Sequence, residues 1–174
     1  MVAVLVAVFE SVHRTYRRIG AAPHLGEVPA RPEPCHRVVV VPVGAVNLLT
    51  SEAISAALSL GDEVRAVSVV HPEDRDAPSA DEVHAAWNAW RPGVPRTVLH
   101  SRTRSLPRPF VDHLRALAAQ ERQDRIVVLI PEMHLPRPWQ RLLQNQRGAV
   151  LDRAVRRHTD AVICRLRFRI HLGH

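Results

Sequence analysis

Four apolar residues in succession, Val38 to Val41, break the alternation of a half-exposed strand and suit a strand buried on both faces. The chain from Leu48 to Leu60 then reads as a helix. Asn47 is placed to cap its first turn, and Gly61 to take the left-handed position that ends it. Glu63 to Val70 forms a second apolar run. Ser79 and Glu82 stand at capping-box spacing, and Val83, Ala86, Trp87 and Trp90 share one helical face until Pro92-Gly93 stops the helix. The Trp pair reads as core. Val94 to Ser101 is a third strand, followed by a helix with the stripe Phe110, Leu114, Leu117 and Ala118. Arg125 to Glu132 is a fourth strand. Pro136 and Pro138 open a long helix bearing Trp139, Leu142, Leu143, Val150 and Ala154, with Gln146 on the same stripe and Asn145 beside it. Asp160 to Ile170 closes the series as a strand. Its alternating Arg165, Arg167 and Arg169 leave one face polar, so it belongs at an edge or in a pairing strand.

Strands and helices that alternate in this way imply an α/β fold: an open parallel five-stranded sheet with helices on both faces, Rossmann-like in outline. In such sheets the ligand crevice lies at the carboxyl ends of the strands where the strand order reverses. The first and fourth strands are expected to flank it, which would bring the loop Pro42 to Asn47 up to the loop Pro131 to Pro138. Upstream, the prolines of residues 21–36 mark a linker, which sets off a segment at 1–20 from a domain at 37–174. The eight apolar residues Val2 to Phe9 fall short of the ~20 that cross a bilayer. Followed by Arg14, Arg17 and Arg18, they suit the inner end of a membrane helix, or an amphipathic helix or extra strand packed on the domain.

Composition narrows the partners. A chain of 174 residues suits one domain with terminal additions, and its 24 basic residues against 17 acidic give a net charge of +7. None of the 24 is Lys. Arginine offers planar, bidentate recognition of phosphate, as in nucleic acid, anionic lipid or a phosphorylated ligand. Aromatic residues make up only 4% of the chain, too few for a base-stacking platform, so nucleic acid is an unlikely partner. Cys35 and Cys164 have no metal-like spacing and read as free thiols, and no metal site is expected. There is no GxGxxG, no Walker motif, no Lys to hold a phosphate and no GxSxG elbow. Glu132, Asp152 and Asp160 form no recognisable acid–base pair. The expectation is a binding or regulatory module without catalysis.

Several segments taken in order carry a resemblance. They are His13-Arg14-Thr15-Tyr16-Arg17-Arg18, Val41-Pro42-Val43-Gly44-Ala45-Val46-Asn47, Trp90-Arg91-Pro92-Gly93-Val94-Pro95, Ser101 to Arg108, Ile130-Pro131-Glu132 and Leu142-Leu143-Gln144-Asn145-Gln146. Together they resemble the cytosolic C-terminal domain of bacterial APC-superfamily amino acid or potassium permeases. That resemblance implies a universal-stress-protein-like domain hung below a transmembrane bundle on the cytoplasmic side of the membrane, commonly as a homodimer. It implies that residues 1–20 are a membrane-exit helix. Some relatives are regulated by cyclic di-adenosine monophosphate, so this or another adenine nucleotide is the candidate ligand. The expected contacts are Gly44 and Asn47 in the first loop, Arg102, Arg104 and Ser105 after the third strand, and Asn145 and Gln146 on the last helix. The alternative expectation is a free-standing universal-stress-protein-like nucleotide binder. The stress proteins' Gly-rich signature after the fourth strand is missing from Ile130 to Pro136, which argues against ATP held in the usual manner.

Overall fold

The computed structural model describes residues 31–71, 78–101, 107–120, 125–133 and 146–168. The chain divides into two units, Met1–Pro34 and Cys35–His174. The described elements of the second are β1 (Arg37–Pro42), α1 (Leu48–Leu60), β2 (Glu63–Val70), α2 (Ala80–Trp90), β3 (Arg96–His100), α3 (Pro107–Gln120), β4 (Arg125–Met133), α4 (Gln146–His158) and β5 (Val162–Phe168). Its five strands are all parallel, in the order β3-β2-β1-β4-β5. The expected sheet is therefore present, with β1 at its centre and β5 at an edge as the alternating arginines require.

Val38, Val39, Val40 and Val41 are fully buried, because β1 has a strand on either side and helices on both faces. Each contributes about 1.5–3 kcal/mol by leaving water. Their side chains alternate between two cores. Val39 and Val41 pack with Ala53, Ile54 and Ala57 of α1 and Trp87 of α2. Val38 and Val40 pack with Phe110, Leu114 and Leu117 of α3 and Val155 of α4.

The helix ends follow their sequence cues except at one glycine. Asn47 accepts from the Thr50 amide at 3.0 Å, and Ser79 and Glu82 complete the capping box of α2. Gly61, expected to be left-handed, is extended at φ −137°. Its need for glycine is steric instead: a Cβ there would collide with Val39 Cγ2 and lie 3.1 Å from the Arg37 carbonyl oxygen. The left-handed C-cap belongs to Arg91, at φ 52°, and Gly93 follows at φ 72°. Trp87 and Trp90 meet edge to face at 5.3 Å within the α1/α2 core.

The α3 stripe holds at Phe110, Leu114 and Leu117 but not at Ala118, and the α4 stripe is out of phase. Ala118 is exposed, and Val111 takes its place among the buried residues of α3. In α4, Val150 is 53% exposed and Ala154 partly so, while Val155 is fully buried and Leu151 packs beside it. The pairs 150/154 and 151/155 are both apolar at i,i+4 spacing, so periodicity alone does not choose between them. Trp139, Leu142, Leu143 and Arg169 lie outside the described residues, as do residues 1–20 and most of the linker.

Candidate functional site

The strand order reverses between β1 and β4, whose central residues pair in register from Arg37–Arg125 to Val40–Val128. In folds of this kind a ligand crevice lies at the carboxyl ends of two such strands; of the two loops expected to meet there, Pro42 to Asn47 is described, whereas 134–138 lie outside the described residues. One lip is the turn Val43 to Asn47. It is fixed at three points: the Val43 amide donates to the Val67 carbonyl at 2.8 Å, the Thr50 hydroxyl to the Ala45 carbonyl at 2.6 Å, and the Thr50 amide to Asn47 Oδ1. Asn47 thus orders the helix that follows. Gly44 is exposed, with nothing within 4 Å of where a Cβ would be, so the protein's own packing does not require glycine there.

Glu132, near the end of β4, is only 3% exposed. Residue pairing sets it opposite Arg167 of β5, whose Nε donates to Glu132 Oε2 at 3.2 Å. Arg165 Nη1 lies 3.2 Å from Glu132 Oε1. That contact is an ion pair by distance but lacks hydrogen-bond direction, so Oε1 has no hydrogen-bond partner. Arg165 also reaches Asp152 of α4 at 3.1 Å, and Arg156 Nε donates to the other Asp152 oxygen at 3.0 Å. Arg165 thus holds both Glu132 and Asp152. The network ties β4, β5 and α4 together beside the crevice. A buried carboxylate left without its cation is costly, so these arginines hold the end of β4 in place. The signal was legible in part, since an acid closing an apolar strand needs a cation, and the next strand carries one at every second position.

Two further polar sites lie elsewhere on the sheet. Arg96 stacks on Trp87 at 5.8 Å, donates to Ser68 Oγ at 3.3 Å and meets His84 Nδ1 at 3.2 Å. Burial lowers its pKa, though a guanidinium stays charged. His113 of α3 has a buried Nε2 with no hydrogen-bond partner, and burial, with the nearby Arg65 charge second, lowers its pKa.

Of the expected contacts, the structure brings Gly44 and Asn47 together on one lip. Gln146 opens α4, but its side chain lies outside the described residues, as do Arg102, Arg104, Ser105 and Asn145. Cys35 and Cys164 are unpaired. Among the described residues, no group of three His, Cys, Asp or Glu is arranged to hold a metal, and no helix is long and apolar enough to cross a membrane.

A parallel sheet whose strand order reverses at its centre, with helices on both faces, defines a doubly wound α/β domain. Residues 35–168 match the KimA potassium transporter C-terminal domain, and the chain belongs to that family. The permease resemblance read from the residues agrees with this. The chain is similar to the potassium transporter KimA of Bacillus subtilis (strain 168), with 29% identity over 151 residues, 85% of this chain and 24% of the transporter. It therefore spans about a quarter of that relative's length. Among solved structures it is similar to a universal stress protein family member from Burkholderia pseudomallei, at 14% identity over 78% of this chain and 98% of that one, TM-score 0.44. A universal stress protein from Archaeoglobus fulgidus in complex with dAMP is 12% identical over 76% and 98%, TM-score 0.38.

Proposed function

We propose that this chain is the non-catalytic, cytosolic regulatory domain of a potassium permease. In this reading it senses an adenine nucleotide, with cyclic di-adenosine monophosphate the first candidate, and acts as a homodimer. Residues 1–20 form its membrane-proximal segment and 21–36 the linker. The observation that carries this reading is the family match across 35–168, which spans the point where the strand order reverses. Gly44 would let a ligand approach the backbone, Arg102 and Arg104 would face phosphate with Ser105 beside them, and Asn145 and Gln146 would read a base edge. Asn47 holds the first lip in shape. The match to a transporter domain favours this over a free-standing nucleotide binder.

Thermal unfolding of the full chain with cyclic di-adenosine monophosphate, ATP, AMP or no addition tests the reading. A specific ligand at a hundred times its dissociation constant adds about 2.7 kcal/mol of stability. The cyclic dinucleotide is expected to give that shift and Arg104→Ala to abolish it. A shift that survives Arg104→Ala removes the phosphate role, and no shift with any nucleotide withdraws the sensor.

A further inference from the structure

The two helical layers carry opposite charge. The sequences of α1 and α2 contain Glu52, Asp81 and Glu82 and no arginine, a balance of −3. Those of α3 and α4 contain Arg108, Arg115, Arg147, Arg153, Arg156 and Arg157 against Asp112 and Asp152, a balance of +4. Arg108, Arg115, Arg153, Arg156 and Arg157 are all exposed.

Internal needs account for only some of this charge. Arg115 Nε donates to the His158 carbonyl at 2.9 Å, which satisfies an open acceptor at the end of α4 and complements its dipole. Arg156 is held by Asp152, whose other oxygen is taken by Arg165. Arg153 and Arg157 make no ion pair among the described residues. They stand at i,i+4 on the outer face of α4, opposite the buried Val155, where like charges repel, although Arg157 in the last turn also complements the helix dipole. Val150, 53% exposed, lies on the same face one turn before Arg153. The result is an outward surface of guanidinium groups around an apolar side chain.

We infer that the α3/α4 face docks on the anionic headgroups of a lipid bilayer, with Arg153 and Arg157 as its central phosphate contacts. Guanidinium groups pair with phosphate oxygens in bidentate fashion. A flat bilayer also suits a face whose charge is spread over two adjacent helices. Membership of a transporter's domain family puts a membrane within reach. The charge difference between the layers would orient the domain, with the acidic α1/α2 layer turned away. This inference rests on family membership and on the described face, and is independent of the nucleotide crevice.

The test is co-sedimentation of the full chain with phosphatidylcholine vesicles, with and without phosphatidylglycerol, at low and physiological salt. The measurements use an Arg14→Gln/Arg17→Gln/Arg18→Gln background, so that the N-terminal basic cluster does not mask the face. Each arginine near an anionic surface is worth about fivefold in binding, so Arg153→Gln/Arg157→Gln is expected to lose about 25-fold. Ser55→Glu/Ala85→Glu changes net charge equally at exposed positions of the other layer and is expected to leave binding nearly unchanged. Equal losses in both double variants would reduce the effect to net charge and overturn the inference. Unchanged binding of the arginine variant would do the same, as would tighter binding to duplex DNA than to anionic vesicles.

Discussion

The two faces of the sheet are built differently under a shared central strand. The α1/α2 side closes on small residues, with Ala53, Ala57 and Ala66 fully buried and Trp87 filling the space beside them. The α3/α4 side closes on large ones, Phe110, Leu114 and Leu117. Their outer surfaces differ as well, acidic on the first and arginine-rich on the second. Just past the end of α1, Gly61 has no room for a Cβ beside Val39. Larger contacts hold α3 and α4 by side-chain volume. Buried packing thus differs in grain between the faces, and only the outer charge of the second exceeds what the fold uses.

Opposite changes of size should break the two faces. Leu114 is 1% exposed, and Leu114→Ala removes its apolar contacts and leaves a cavity, with an expected loss of about 3 kcal/mol. On the other face Ala57 is fully buried, and Ala57→Leu should cost about 1–3 kcal/mol through overpacking. Urea unfolding of each variant measures both. If Ala57→Leu is tolerated without loss, the α1 side is not close-packed, and the two faces do not differ in this way.

A second test sharpens the contrast at the edge of the α3/α4 face. Arg165→Ala leaves Glu132, 3% exposed, without its deeper cation and frees Asp152 as well. Because the Arg165 side chain is 35% exposed, the expected loss sits below that of a fully buried pair, at roughly 2 kcal/mol. Arg167 is 70% exposed, so Arg167→Ala should cost less than about 1 kcal/mol. A double-mutant cycle of Arg165→Ala with Glu132→Gln should recover part of the loss. Strict additivity would show that the pair does not interact.

Local rules made the strands, the central place of β1 and the edge place of β5 readable, because continuous valines and alternating arginines report burial on two faces and on one. Caps were equally plain at Asn47 and Ser79. Helix phase was harder: α3 carries both Val111 and Ala118 near its stripe, and α4 offers two apolar i,i+4 pairs. In α4 the choice accompanies Asp152 facing Arg165, a contact between residues thirteen apart that no local pattern encodes. The Glu132 network was missed for a related reason, since its cations come from the next strand through sheet register. Gly61 was recognised as special but for the wrong cause, because a close approach to Val39 depends on how α1 returns to the sheet. The expected contacts at Arg102, Arg104, Ser105 and Asn145 lie outside the described residues.

The smallest effect expected is a pH dependence belonging to the α3/α4 face. His113 Nε2 is buried without a hydrogen-bond partner, and burial first, then the Arg65 charge, lower its pKa in the folded protein. In the unfolded chain the ring titrates near its ordinary value of about 6.5. Between the lowered folded value and that value the unfolded state binds more protons, so stability rises with pH across this window. The contribution is complete above about 6.5 and is lost as the pH falls toward the folded value. The ring is only partly buried, so solvent screening keeps the effect small. Urea unfolding of the parent and His113→Gln at pH 7.5 and 5.5 isolates it from the other histidines: relative to the parent, the variant should gain stability at the lower pH. The same difference at both pH values would mean that His113 is protonated as easily in the folded core as in water, and the α3/α4 interior would be wetter than its buried Phe110 and Leu114 imply.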